Sequence, residues 1–154
     1  MSVVEIRECK LDDLPEVILL MNELKEVASG GDQIEPENVR TIFLEMEKFP
    51  EIYLNLVAEV SGKVVGFISI IFYRTVFHKG GTALINELII TNSERGKGIG
   101  HSLIQRAKEE ALARRLDEIE VGTEKTNLAA QRFYRKNGFD EEYVLMGMEF
   151  EPLT

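Results

Sequence analysis

Between Ala83 and Arg115 the hydrophobic period of the chain changes, and three glycines mark the change. Ala83 to Ile90 is an apolar, β-rich run. A short polar turn follows, then Arg95-Gly96-Lys97-Gly98-Ile99-Gly100-His101. From Gly98 to about Arg115 the residues Leu103, Ile104, Ala107, Ala111 and Leu112 recur at helical spacing. Strand, glycine-rich turn and amphipathic helix in that order restrict the chain to folds in which a helix crosses back over a sheet.

The remaining segments fill in a mixed α/β order. Val3 to Glu8 reads as a first strand. Asp12 or Asp13 can cap a helix carrying Leu14, Val17, Ile18, Met21, Leu24 and Val27, ended by Ser29-Gly30-Gly31-Asp32. Pro36 opens a second helix on Val39, Ile42, Phe43, Met46 and Phe49, stopped before Pro50. Tyr53 to Val60 and Val64 to Arg74 are strands across a Ser61-Gly62-Lys63 hairpin turn, and Thr75 to Gly81 is a loop. Ile119 to Thr123 is a short strand, Asn127 to Asn137 a helix closed by Gly138, and Tyr143 to Phe150 a last strand. This β-α-α-β-β-β-α-β-α-β order predicts a central mixed, twisted sheet flanked by about four helices.

With 154 residues the chain is sized for one domain, 1–154. No apolar run is long enough for a bilayer span, and Glu5, Arg7 and Glu8 stand where a signal peptide would be apolar, so a cytoplasmic protein without membrane contact is expected. The lone Cys9 leaves no intramolecular disulfide and no multi-Cys metal site; with two His besides, no metal is expected. Cys9 reads as a small buried side chain. The net charge of −9 argues against nucleic acid. It is unevenly spread, −9 over residues 1–60 against +4 over 95–136, which separates an acidic part suited to cations from a basic island suited to an anion.

The glycine turn concentrates that island. Closely spaced glycines let backbone N–H groups approach a ligand, a helix start adds its unpaired donors and positive dipole end, and Arg95 and Lys97 add charge. The turn is therefore read as a phosphate cradle. It is not a P-loop, since no G-x-x-x-x-G-K-[ST] string exists, and it fails the dinucleotide fingerprint G-x-G-x-x-G in both registers, with Leu103 or His101 at the third glycine position.

Arg95-Gly96-Lys97-Gly98-Ile99-Gly100 resembles the R/Q-x-x-G-x-G/A signature of the GNAT superfamily of N-acetyltransferases. Downstream, Asn127-Leu128-Ala129-Ala130-Gln131-Arg132-Phe133-Tyr134 followed by Gly138-Phe139 is similar to that family's N-x-x-A-x-x-x-Y…G-F block. The resemblance implies a GNAT-like acyl-CoA N-acyltransferase fold and acetyl-CoA as co-substrate. It implies that the backbone of Leu88, Ile89 and Ile90 pairs with the pantetheine arm and that N–H groups of Arg95, Gly96, Lys97, Gly98, Ile99, Gly100 and His101 hold the pyrophosphate. It further implies that Asn127 contacts the arm and that Tyr134 protonates the leaving thiolate.

Residue chemistry adds the requirement for a base. An alkylammonium of pKa about 10.4 is neutral roughly once in 10³ molecules at pH 7, a cost of about 4–5 kcal/mol that a carboxylate can offset. Many members of the family carry a carboxylate where this chain has Asn86, which cannot accept a proton. Glu87 is the expected base, provided that a bulge sets which way it points; water chains or an acidic residue from elsewhere are the alternative. A strand N–H freed by that bulge, at Ile89 or Ile90, would serve the oxyanion.

His78 lies in a loop bordering the acceptor side or simply exposed, and neither His forms a hydrolase triad with a Ser or Cys. The Ser29 to Glu37 loop, with Asp32, Glu35 and Glu37, would favour a cationic amine. The expected reaction is direct transfer of an acetyl group to a primary amine of a small molecule or peptide. Two alternatives stand beside it: a non-catalytic CoA-binding sensor, which Asn86 favours, and a protein N-terminal or lysine acetyltransferase. Exposed strand edges allow a homodimer.

Overall fold

The computed structural model describes residues 2–28 and 34–152. The chain divides into two compact units, 1–121 and 122–154. The first contains β1 (Val4–Glu8), α1 (Leu14–Ala28), α2 (Pro36–Glu47), β2 (Tyr53–Val60), β3 (Lys63–Tyr73), β4 (Thr82–Ile90), α3 (Ile99–Ala113) and β5 (Glu118–Val121). Its five strands lie in sequence order, β1 to β4 antiparallel and β5 parallel to β4, so the sheet is mixed as expected. The β2–β3 hairpin closes through Ser61 (φ 51) and Gly62 (φ 77), two left-handed residues whose twist suits a two-residue turn.

Strand alternation assigns the two faces. Val57, Val64, Phe67 and Ile89 pack with Cys9, Leu14, Val17 and Leu20 and with Phe43 of α2. Ile68, Ile70 and Phe72, with Ala83 and Ile85 opposite them, turn to the other side, where α3 buries Leu103, Ile104 and Ala107. Of the apolar set predicted for α2, only Phe43 is fully buried; Ile42 and Phe49 are about half exposed. Cys9 is buried, and that burial pushes its thiol up to about 12, which makes it unreactive at neutral pH.

One charged network ties β1, β2 and the start of α1. The Arg7 guanidinium donates to both carboxylate oxygens of Asp13 (2.7 and 2.9 Å) and to Glu59 (2.7 Å). Asp13 also accepts from the Lys10 N–H at 2.7 Å, and its side chain is 11% exposed. The hydrogen bonds from Arg7 hold the Asp13 carboxyl below its ordinary value. Asp13→Asn is expected to lower stability by about 2 kcal/mol at neutral pH, because it leaves Arg7 half-buried with one partner fewer. A depressed carboxylate stabilises the fold above its unfolded pKa, about 3.9, and that contribution drains as pH falls through the folded value. Urea unfolding of both proteins should show the gap closing in acid.

The second unit contains α4 (Leu128–Lys136). It ends in a Schellman turn: Gly138 has φ 98, its N–H donates to Arg135 O (3.0 Å), and Phe139 N–H donates to Tyr134 O (3.1 Å). The strand predicted over Tyr143 to Phe150 is not formed. Residues 139–152 are neither helix nor strand, and Val144, Leu145, Met146, Met148 and Phe150 are each at least 76% exposed. A strand needs a ladder partner for its backbone groups, and among the described residues nothing pairs with this segment.

Candidate active site

The glycine turn hangs from the end of β4. Thr91 N–H completes the ladder to Val65 O at 2.9 Å. The Glu23 carboxylate of α1 then accepts from Thr91 Oγ1 (2.8 Å) and the Asn92 N–H (3.3 Å), and Arg95 Nε donates to Ile90 O at 2.9 Å. Gly96 (φ 76) and Gly98 (φ 83) occupy the left-handed region, and a Cβ on either would meet nothing within 4 Å. No side chain caps α3 at Gly98, and the first N–H to bond back is that of Ser102, to Gly98 O at 3.1 Å. Among the described residues, the N–H groups of Gly96 to Gly100 accordingly have no acceptor. Such a cup, at a helix start, fits a diphosphate. Lys97 contributes less charge than expected, because its Nζ pairs with Glu94 at 3.0 Å. His101 is exposed on the first turn of α3.

Beside the turn, β4 has an open edge. β5 pairs with it only from Thr82↔Glu118 to Ile85↔Val121, so among the described residues no strand pairs with Asn86 to Ile90 on that side. By alternation from Thr91, the backbone groups of Leu88 and the N–H of Ile90 turn to that open side, while Ile89 bonds into the ladder with Phe67 and Ile90 O accepts from Arg95. The bulge is real but lies elsewhere than beside Ile89 or Ile90, which pair regularly with Phe67 and Gly66. Ser69 pairs with Glu87 and Ile70 with Ile85, which leaves Asn86 as the extra residue. The open N–H at Ile90 thus comes from the early end of β5 and not from the bulge, and the Ile89 N–H turns into the ladder with Phe67.

The bulge decides where Glu87 points. Without it, Glu87 would share a face with Ile85; with it, Glu87 stands opposite Ser69, on the face of Thr82 and Leu84. Asn86 is exposed. Burial raises the Glu87 carboxyl above its ordinary value, only partly offset by a hydrogen bond from Ser69.

The same face carries groups that the sequence reading missed. Glu118 and Glu120 of β5 lie alongside Thr82 and Leu84. Thr82, fully buried, donates to Glu118 Oε1 at 3.1 Å, and the Tyr73 hydroxyl donates to Glu120. Burial and then that carboxylate push the Tyr73 hydroxyl up to about 12. His78 is 34% exposed, with Nε2 3.4 Å from Glu118 and Nδ1 3.6 Å from Asp117, so it is engaged by carboxylates and not simply a solvated loop residue. The signal available in the sequence was the alternation Glu118-Ile119-Glu120-Val121, which puts two carboxylates on one strand face.

In the unit 122–154, Asn127 is the N-cap of α4, its Oδ1 accepting from Ala130 N–H at 3.1 Å. The Tyr134 ring packs edge-on between Phe133 (5.3 Å) and Phe139 (5.7 Å). Burial pushes its hydroxyl up to about 12.

Of the segment predicted as a loop from Ser29 to Glu37, Ser29 to Gln33 lie outside the described residues; Glu35 holds the N-cap position of α2 without a side-chain capping bond, and Glu37 lies in its first turn. Among the described residues no three or more His, Cys, Asp or Glu side chains gather to hold a metal ion, and no helix is long and apolar enough to cross a membrane.

A model of the acetyltransferase (GNAT) family matches residues 18–139. The chain belongs to the GNAT acetyltransferase family. As a GNAT chain it is 39% identical over 94 residues to an uncharacterized N-acetyltransferase of Methanocaldococcus jannaschii, over 59% of this chain and 41% of that protein. It is 27% identical over 143 residues to an aminoalkylphosphonate N-acetyltransferase of Salmonella typhimurium, over 93% of this chain and 89% of the relative. The chain spans about half the length of the archaeal relatives it matches, 41% and 54%. A putative acetyltransferase from Agrobacterium tumefaciens shares the fold, with a TM-score of 0.84 at 20% identity over 95% of this chain and 99% of that one.

Proposed function

We propose that this GNAT chain transfers an acetyl group from acetyl-CoA directly to a primary amine of a small molecule or peptide, with residues 1–154 working as one cytoplasmic acetyltransferase domain. The observation that carries the reading is the cup of unbonded N–H groups from Gly96 to Gly100, set at the end of the unpaired β4 edge. The coenzyme, when bound, supplies the acetyl thioester. The cup holds the diphosphate together with Arg95, and the β4 edge from Leu88 to Ile90 aligns the pantetheine arm. Glu87 takes the proton from the ammonium; its raised pKa makes it a stronger base than an exposed carboxylate. Glu118 and Glu120, on the same face, favour a cationic acceptor over a neutral one. Tyr134, protonated throughout the neutral range, donates to the departing thiolate, and Asn127 contacts the arm.

The direct test is titration with CoA followed by an acetyl-CoA screen over an amine library, read by thiol release. The Salmonella relative acts on aminoalkylphosphonates, so these belong in the panel beside polyamines, amino acids and peptides. Activity confined to peptides would move the acceptor to protein N-termini or lysines. Asn86, at the bulge where a carboxylate would otherwise stand, favours a second reading as a CoA-binding sensor. Tyr134→Phe separates the two: an enzyme loses about 10²-fold in kcat with CoA affinity unchanged, whereas a sensor has no turnover to lose.

A further inference from the structure

The far end of α3 carries a second basic feature that the proposed reaction does not use. A recess of about 500 Å³ is lined by Arg74, Lys79, Gly80, Arg114, Arg115 and Asp117. Four cations against one carboxylate converge there in a chain of net charge −9. Arg114 is partly engaged: its guanidinium stacks 3.9 Å over Phe72 and lies 4.0 Å from Glu110, while its buried Nε has no hydrogen-bond partner. Arg74, Lys79 and Arg115 have no ion-pair partner among the described residues. Asp117 is already 3.6 Å from His78.

The backbone of the recess is tightly set. A Cβ on Gly80 would fall 2.3 Å from the Arg115 carbonyl oxygen, so the β3–β4 loop rests directly on the turn after α3. Asp117 N–H donates to Gly81 O at 3.2 Å and joins the same two segments. That turn is a Schellman motif, with Arg115 N–H donating to Leu112 O and Leu116 N–H to Ala111 O, both at 3.0 Å. Its left-handed position is held by Arg115 at φ 60. The equivalent position after α4 is Gly138, the ordinary occupant. An arginine standing where glycine is easier, without an ion-pair partner among the described residues and lining a cationic recess, points to a role for the side chain and not for the fold.

We propose that this recess binds a small polyanion, a phosphate ester or polycarboxylate, through Arg74, Lys79, Arg114 and Arg115. Guanidinium forks match both oxyanions, and the surplus of three positive charges suits a ligand carrying two or three negative ones. The recess is remote from the glycine turn and from the Glu87 carboxylate, while Glu118, which follows Asp117, lies at its border. The fifteen residues of α3, at 1.5 Å each, put it about 22 Å from the glycine turn. The strand rise places Thr82 about 16 Å from Glu87, beyond the span of a small amine held at that carboxylate.

The test is titration of the isotope-labelled full chain with inorganic pyrophosphate, and in parallel with citrate, in about 0.15 M salt. Amide shifts are expected at Lys79, Gly80, Arg115 and Asp117. Arg115→Gly should weaken them at least tenfold while the melting temperature stays level or rises, and any response at Gly96 to Gly100 should be unchanged. Lys79→Ala should weaken them about threefold with no change in stability. A stronger response to pyrophosphate assigns a phosphate ester, and a stronger one to citrate a polycarboxylate. The proposal is overturned if the shifts are confined to Gly96 to Gly100, or if Arg115→Gly binds as the parent does. It is overturned equally if that variant only loses stability, or if it dissolves a dimer whose parent form ignores both anions.

Discussion

Glu87→Gln is expected to lower kcat/KM for amine acetylation by about 10²–10³-fold and to leave CoA affinity within a factor of two. The substitution keeps size and one hydrogen-bond acceptor towards Ser69 and removes only the ability to take a proton. With no base, the enzyme must wait for the roughly one acceptor in 10³ that is already neutral at pH 7. The pH profile supplies an independent readout. A carboxylate raised by burial is active only when ionised, so kcat/KM should fall with acid through a pKa above the ordinary carboxylate range. The Gln variant should lose that limb and instead track the acceptor's own ionisation towards alkaline pH. An unchanged rate in the variant would shift the proton to Glu118, Glu120 or a water held by them.

Gly98→Val is expected to raise the Kd for CoA at least 100-fold. Gly98 sits at φ 83, where an L-residue is strained by about 1–2 kcal/mol and a β-branched one more. The space around its Cβ position is open, so the penalty comes from the backbone: the turn must leave the left-handed region and the N–H groups of Gly96 to Gly100 no longer converge. The strain is small beside a typical folding free energy of 5–15 kcal/mol, so the protein should still melt cooperatively. Calorimetric titration with CoA checks the affinity. Binding within threefold of the parent would remove the turn from the coenzyme site.

The pairing across the sheet explains why the glycine turn was legible in the sequence and the face shared by Glu87, Glu118 and Glu120 was not. Gly96, Gly98 and Gly100 act through local backbone freedom, and the apolar period from Leu103 to Ala111 announces the helix they open. Glu87 could be named as an acid beside Asn86, yet its direction depends on whether Ile70 meets Ile85 or Asn86, a contact between residues far apart in the chain. Glu118 and Glu120 became visible only when β5 was seen to run beside β4 and to stop opposite Ile85. The strand expected over Tyr143 to Phe150 erred for the related reason that its apolar composition names no partner.

From residue order alone came the mixed α/β layout, the family blocks at 95–100 and 127–139, and the chemistry a CoA-dependent transfer would demand. The layout rests on periodicity and local φ preference, which short stretches of chain carry by themselves, and the blocks and their chemistry rest on the resemblance to the family. Tertiary structure alone decided the face of Glu87, the open edge of β4, and the meeting of Arg74 and Lys79 with Arg114 and Arg115. Each of these is a matter of which distant segments lie side by side, and burial, pKa and charge density follow only from that placement.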